Sequence, residues 1–282
     1  MTTTSHADLR NTRLTFGGIL RSEIIKLWTL RSTFWCCVIV ILLTIGVGLL
    51  LSTIQRPGAT TPNLSYAEQQ AMAVLYATGG TGIGQLVFSV LGVLVISGEY
   101  GTGMIRATFA ADPKRLGTMF GKAIVLGVTT FVVALIAVFG TVAVCFPLMH
   151  VKGVYPDLGN SKVLLSLFGA AAYLAVISLI AFSIGAIIRS TAAGIATAIG
   201  LVLVVPAILG IVAATTGATW AYNIIAFLPT NAGAKVYDYN SSAPSGIDGV
   251  ISLDAYTGGL VLLGWFVVLF VVSLVLVKRR DA

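Results

Sequence analysis

The chain has 282 residues, of which 57% are hydrophobic and only 10% are charged. A soluble domain carries about 25% charged residues, so this chain has too few charges to cover a surface that faces water. The net charge of +7 does not indicate nucleic-acid binding, because the basic residues stand at the ends of long uncharged segments. The composition therefore predicts an all-α membrane protein whose main solvent is lipid.

The N-terminal region predicts two elements before the membrane. Residues 1–13 are polar, and we expect a disordered cytoplasmic tail. Residues 14–32 favour an amphipathic helix at the membrane interface. Its apolar side would consist of Phe16, Leu20, Ile24 and Leu27, and its polar side of Arg21, Ser22, Lys26 and Thr29. Glu23 and Ile25 break this pattern, and the alternative is a straight cytoplasmic extension of the first membrane helix.

Six apolar segments, almost free of charge, are each long enough to cross a bilayer, which takes about 20 apolar residues in a helix. The predicted spans cover residues 33–54, 79–98, 119–146, 163–188, 191–214 and 258–277. A six-helix transmembrane domain would thus occupy residues 33–277, followed by a cytoplasmic tail at 278–282. Of the 17 Lys and Arg residues, 13 fall on one side of these spans. The positive-inside rule then places both termini in the cytoplasm.

The stretch between the second and third spans is the strongest candidate for a functional element. It predicts a short cytoplasmic helix over about 102–111, capped by Thr102, with Met104, Ile105 and Phe109 as an apolar face. Such a face on a small helix favours burial in a groove of another protein. The alternative is an ordinary connection packed on the underside of this chain. Glu99 could be the solvated end of a span, or it could anchor the stretch by a salt bridge to Arg106 or Arg21.

Polar and small residues within the spans have two interpretations. Gln85 and Ser89 in the second span could line a substrate path, and Thr197 and Phe227 are further candidates. Small and polar residues at helical spacing more often allow helices to approach closely. The fifth span carries such a stripe, Ala192, Ala196 and Gly200, and Pro206 predicts a kink in it.

The long connection before the sixth span contains an apolar stretch, residues 220–229, that is too short to cross a membrane. It predicts a re-entrant or interfacial half-helix that ends near Pro229. The rest of the connection reads as solvated loop.

The sequence lacks the motifs of several enzyme classes. It contains no phosphate-binding Gly-x-x-x-x-Gly-Lys-Ser/Thr loop, so we do not expect this chain to bind ATP by that device. It contains no His-Glu-x-x-His and only two histidines, and we assign no catalytic residue and no metal ligand. No charged side chain lies deep within a predicted span, which removes the usual carriers of ion-coupled transport.

Two segments carry a family resemblance. They are Ser-Glu-Ile-Ile-Lys-Leu-Trp-Thr-Leu-Arg-Ser-Thr-Phe-Trp, residues 22–35, and Ile-Ser-Gly-Glu-Tyr-Gly-Thr-Gly-Met-Ile-Arg-Ala-Thr, residues 96–108. Together with the six-span layout and the segment 228–233, they resemble bacterial type-2 ATP-binding-cassette (ABC) exporter permeases, particularly actinobacterial ones. The resemblance implies an interfacial helix at 14–31, a coupling helix at 102–111 and a substrate path near the second and fifth spans. Its ATPase-coupling residues would be Glu99, Tyr100, Gly101, Thr102, Met104, Ile105, Arg106, Thr108 and Phe109.

The resemblance also implies partners. Two permease subunits, identical or different, would form a dimer in the bacterial cytoplasmic membrane, and separate P-loop ATPase subunits would bind ATP and Mg²⁺. The expected function is export of an apolar or amphipathic substrate such as a drug, a peptide antibiotic or a lipid. The alternatives are a membrane assembly or regulatory protein that transports nothing, and an intramembrane enzyme, for which we find no catalytic constellation.

Overall fold

The computed structural model describes residues 15–54, 64–105, 116–240 and 249–279, and within these ranges it contains helices and no strands. The helices are α1 (Phe16–Thr29), α2 (Arg31–Ile54), α3 (Tyr66–Thr78), α4 (Thr81–Thr102), α5 (Leu116–Val151), α6 (Ser161–Ile188), α7 (Thr191–Ile199), a π-helical turn (Gly200–Val204), α8 (Val205–Thr216), α9 (Thr219–Phe227), α10 (Pro229–Tyr237) and α11 (Ala255–Arg279).

Six segments of the described chain are long and apolar enough to cross a membrane. They are α2, α3 with α4, α5, α6, the run Thr191–Thr216 and α11. A helix satisfies its own backbone hydrogen bonds, which lipid cannot do. The prediction of an all-helical, multi-pass membrane protein with six spans is therefore confirmed at this level.

The sequence-based boundaries differ from the structure in three spans and in the connection before the sixth, where part of the predicted solvated loop is the helix α10 (Pro229–Tyr237). α4 continues to Thr102 rather than 98 and is preceded by a separate helix, α3, whose start is fixed by a capping box between Ser65 and Glu68. α5 continues to Val151, so Pro147 lies inside a helix and not in the predicted connection at 147–162. α11 includes Lys278 and Arg279.

Helices α4 and α6 form the centre of the bundle. In α6, 67% of the residues in its apolar stretch are buried, against 11% for Thr191–Thr216. The two central helices approach closely at Gly92, where a Cβ atom would overlap the backbone oxygen of Ser178. Small residues at such points let membrane helices pack without a hydrophobic driving force.

The short helices α9 and α10 meet at Leu228 and contact the middle of two long segments. The indole of Trp265, ten residues into α11, donates to the carbonyl of Phe227 at 2.9 Å. The hydroxyl of Thr230 donates to the carbonyl of Val202 at 2.9 Å. A regular helix would offer that carbonyl the N–H of residue 206, but Pro206 has none. Thr230 thus satisfies a backbone acceptor that the proline leaves open in the fifth segment.

The small-residue stripe of the fifth segment does not pack as its spacing suggests. Ala192 and Ala196 are exposed, and a Cβ on Gly200 would meet nothing within 4 Å. The buried face consists instead of Gly194 and Ala198, which contact the bundle. The other face of this segment is uncovered in the single chain.

Candidate functional site

Four charged side chains form a closed ring where α1 packs on the bundle, at what we call the α1 end. Lys122 of α5 donates to Glu23 of α1 at 2.7 Å and to Glu99 of α4 at 2.5 Å. Lys26 of α1 donates to the same two carboxylates, at 3.0 Å and 3.1 Å. Each lysine therefore bonds to each glutamate. We call these four residues the charged ring.

The ring buries charge and compensates for it. Glu23, Glu99 and Lys122 are buried, while the Lys26 side chain keeps 31% of its exposure. Two ammonium groups and two carboxylates sum to zero, so no net charge is left in the packed region. Removing one partner of such a buried group is costly, because the remaining charge can no longer reach water.

The two glutamates favour the protonated form of Lys26, the partly exposed member of the ring. Burial by itself lowers the pKa of Lys26, but attraction and hydrogen bonding from Glu23 and Glu99 outweigh it, so the pKa lies above its ordinary value of 10.5. Lys26 is therefore an ammonium at physiological pH.

The ring explains the irregular pattern of α1. Glu23 and Leu27 are its buried residues, and Glu23 points at Lys122. The predicted apolar side is divided, because Leu27 packs on the protein whereas Phe16 and Ile24 are exposed. The helix lies against α5, and Glu23, which interrupts the amphipathic pattern, attaches α1 to the bundle together with Lys26 and Leu27.

Glu99 does form salt bridges, but with partners other than the predicted Arg21, while the prediction for Arg106 stays untested. Arg21 is exposed, and Glu99 pairs with Lys26 and Lys122 instead. Arg106, the other predicted partner, lies outside the described residues, as do Thr108 and Phe109.

The other predicted coupling residues lie at the α1 end with different surroundings. The guanidinium of Arg189 lies over the Tyr100 ring, 5.2 Å from its centroid. Thr102 does not cap a following helix; it is the last residue of α4, and its hydroxyl donates back to the carbonyl of Gly98 at 3.0 Å. Gly101 is exposed in the last turn, and Gly103 ends the helix in the left-handed conformation, with φ 72°.

The two apolar residues that follow Gly103 differ in exposure. Ile105 is buried in the main hydrophobic core, so it is not part of a face presented to a partner, contrary to the prediction. Met104 is 45% exposed. Of the predicted apolar face, Met104 is thus the described residue that another protein could contact.

The candidate path residues are not brought together. Gln85 is buried, and its side-chain oxygen accepts a hydrogen bond from the hydroxyl of Tyr173. Ser89 is also buried, and its hydroxyl donates to the backbone carbonyl of Gln85 at 2.6 Å. Thr197 is exposed on the fifth segment, where its hydroxyl donates to Ala193 of its own helix. Phe227 ends α9 and is partly exposed.

Gln85 and Tyr173 belong to an uncharged network between α4, α6 and α10. The rings of Tyr173 and Tyr237 are 5.3 Å apart, and the hydroxyls of Tyr237 and Thr81 are 3.1 Å apart. We call these four residues the neutral network. It attaches α10 to the two central helices.

Sequence reasoning missed Lys122 as a site residue. Lys122 is counted above among the cytoplasmic charges. Its position inside the predicted third span was the available signal that it has a partner. A lysine in an otherwise apolar helix requires a partner, and within the described part of the chain Glu99 and Glu23 supply the carboxylates.

The chain matches no model of a known protein family, and it has no significant match among curated proteins. The fold and the six apolar segments define its class, a multi-pass α-helical membrane protein.

Proposed function

We propose that this chain is the permease subunit of an ATP-driven exporter. The observation that carries the proposal is the charged ring, which joins α1, the end of α4 and the start of α5 and lines the same cavity as Met104. A force applied to the stretch after α4 would reach three helices at once through these bonds. Such a shared attachment is what a permease needs to convert the closure of an ATPase into rearrangement of its helices.

The ATPase would be a separate P-loop protein that binds ATP and Mg²⁺ on the cytoplasmic side of a bacterial membrane. This orientation places both termini and the α1 end in the cytoplasm, in agreement with the excess of Lys and Arg on that side. In it, α1 lies at the interface, where its exposed Phe16, Ile24 and Trp28 would contact lipid. The exposed Met104 supports a contact with the ATPase.

A second permease subunit, identical or different, would cover the fifth segment. The exposed Ala192 and Ala196 and the open surface at Gly200 support this, because small residues permit close approach of a second helix. Thr197 stands on the same exposed stretch, so a path at the subunit interface would include it. In this arrangement Gln85 and Ser89, which are buried in the bundle, would pack behind the residues that line the path.

The pair α9 and α10 would form a re-entrant element. Its turn bonds to Val202 and Trp265, both near the middle of their long segments, which supports entry of this turn to mid-membrane depth. Phe227 at the turn would then face an apolar or amphipathic substrate.

Coupling can be tested with Met104→Glu, which places a carboxylate on the proposed ATPase contact. Val151→Glu is the matched control, since Val151 is 85% exposed at the opposite end of α5. The wild-type chain is purified from its native membrane to isolate the P-loop ATPase that the proposal requires, and both variants are then reconstituted with that ATPase in proteoliposomes. We expect Met104→Glu alone to weaken ATPase association and substrate-stimulated ATP hydrolysis. Equal behaviour of the two variants would contradict the coupling role, and a wild-type chain that stimulates no hydrolysis would favour the regulatory or assembly alternative.

The orientation has its own test. Cys36, Cys37 and Cys145 are replaced by serine, and a single cysteine is placed at Thr102 or, as the control for the other side, at Asn160. We expect a membrane-impermeant thiol reagent added to intact cells to label only the cysteine at position 160. Labelling at 102 from outside would put the α1 end beyond the reach of any cytoplasmic ATPase.

A further inference from the structure

The charged ring is asymmetric in its use of carboxylate oxygens. Glu23 uses both, accepting Lys26 at Oε1 and Lys122 at Oε2. Glu99 accepts both lysines at Oε1, and its Oε2 is buried without a hydrogen-bond partner in the described structure. A buried carboxylate oxygen left unpaired is unfavourable, so a ligand that donates a hydrogen bond to it is expected.

A cavity of about 390 Å³, with Glu99 in its wall, lies between α1, the start of α2, α4 and α5. Its volume falls in the range of roughly 300–1,000 Å³ that is usual for ligand pockets. All four residues of the charged ring line it, and Lys26 is the one that is partly exposed. The rest is largely apolar and includes Leu27, Leu30, Leu94, Val95, Met104 and Val125.

These features define the chemistry of the occupant. A hydrogen-bond donor must reach Glu99, and a positive donor is favoured because the acceptor is a carboxylate. An anionic group would suit Lys26, whose ammonium is partly exposed and can donate further. A zwitterion leaves the ring neutral, and an apolar tail fits the remaining wall.

We propose that this cavity binds a phospholipid whose headgroup ends in a primary ammonium, with the ammonium donating to Glu99 Oε2, the phosphate against Lys26 and an acyl chain along the apolar wall. The cavity lies at the end of α4, where a membrane-crossing segment meets its connection, which is the depth of lipid headgroups. The site depends on the membrane location of the chain and not on the proposed ATPase, so either proposal can fail alone.

The test compares lipids that differ only in the donor. The purified full-length chain in detergent is titrated with phosphatidylethanolamine and with phosphatidylcholine of the same acyl chains, and bound lipid is counted by native mass spectrometry. The choline headgroup carries the same charge but has no N–H to donate. We expect phosphatidylethanolamine to bind roughly tenfold more tightly, the contribution of about one charge-assisted hydrogen bond. Equal affinities would overturn the proposal.

Soluble phosphoethanolamine distinguishes a lipid from a free headgroup. It has the ammonium and the phosphate but no acyl chain, so we expect it to bind far more weakly than the lipid. Binding as tight as that of phosphatidylethanolamine would overturn the assignment to a lipid and leave a polar small molecule as the occupant.

Two glycines of α4 provide a variant and its control without touching the ring. Gly98 lines the cavity, and a Cβ there meets nothing within 4 Å, so Gly98→Leu fills the space. Gly82→Leu adds the same side chain to an equally open position nearer the other end of the helix. We expect Gly98→Leu, and also Glu99→Gln, to lose the preference for phosphatidylethanolamine, while Gly82→Leu keeps it. A Gly98→Leu protein that retains the preference would show that the lipid binds elsewhere.

Discussion

The charged ring and the neutral network hold this bundle together in different ways. The ring joins four ionised groups at the α1 end, with one lysine partly exposed. The neutral network joins Gln85 to Tyr173 and Tyr237 to Thr81 by hydrogen bonds and the two tyrosines by a ring contact, and none of its members is charged. The ring attaches α1, an element outside the six long segments, and the network attaches α10, a short helix between two of them.

The difference follows from what each location permits. An ionised group far from water is very unfavourable in lipid, so charges are paired and kept near a segment end. A hydroxyl or an amide needs only one or two partners and can be buried among packed helices. We therefore expect the ring to be sensitive to the loss of any of its three buried charges, Glu23, Glu99 and Lys122, and the network to be weaker and dependent on close packing.

The largest effect is expected from Lys122→Met. It leaves Glu23 and Glu99 buried without their fully buried partner, which costs about 3–5 kcal/mol. The free energy of unfolding in detergent, followed by circular dichroism in a denaturant titration, measures the loss. Lys162→Met is the control, because Lys162 is exposed at the start of α6. Equal stability of the two variants would show that the ring contributes nothing.

The packing of α10 can be disturbed without changing a polar group. A Cβ at Gly258 of α11 would overlap the carbonyl oxygen of Ala232 and lie 3.0 Å from the Cβ of Lys235. We expect Gly258→Ala to reduce the free energy of unfolding by about 1–3 kcal/mol. Gly264→Ala in the same helix meets nothing within 4 Å and should not destabilise. Similar losses at both positions would mean that helix α11 itself, and not its contact with α10, is affected.

A double-mutant cycle on Tyr173→Phe and Gln85→Leu measures the central bond of the neutral network. We expect a coupling free energy of about 0.5–2 kcal/mol, the usual size for hydrogen bonds between membrane helices. The unfolding titrations of the wild type, both single variants and the double variant supply it. A coupling near zero would contradict the assignment of Gln85 to helix packing.

The smallest effect is expected from Lys26→Met. The partly exposed Lys26 should contribute about 1 kcal/mol or less. Burial lowers the pKa of Lys26, but Glu23 and Glu99 raise it by more, so the folded-state pKa lies above 10.5. A raised pKa adds stability that is complete below 10.5 and is lost as the pH rises through the folded-state value.

The measurement is the stability difference between wild type and Lys26→Met from about pH 9 to about pH 12. We expect this difference to shrink toward the alkaline end, with Lys162→Met as the control that shows no such trend. A difference that is constant over the whole range would show that the charge of Lys26 does not contribute to the stability of the protein.

The positions of the long segments follow from the amino-acid sequence. Runs without charge that match the thickness of a bilayer can only be helices there, because lipid offers no partner to a backbone N–H or carbonyl. The predicted spans at 33–54 and 163–188 accordingly differ from α2 and α6 by no more than two residues at either end. The sequence also predicts the helix at 14–32, since polar and apolar residues recur there at helical spacing.

Which side chains meet depends on how the helices pack. Lys122 and Glu23 are 99 positions apart in sequence, and no local pattern relates them. Their bond exists because α5 and α1 pack at one particular rotation, a choice made by the whole set of helix contacts. The same holds for Gln85, whose spacing on α4 fits a channel wall as well as a packed interface, until the position of Tyr173 on α6 makes it the partner of a buried hydroxyl.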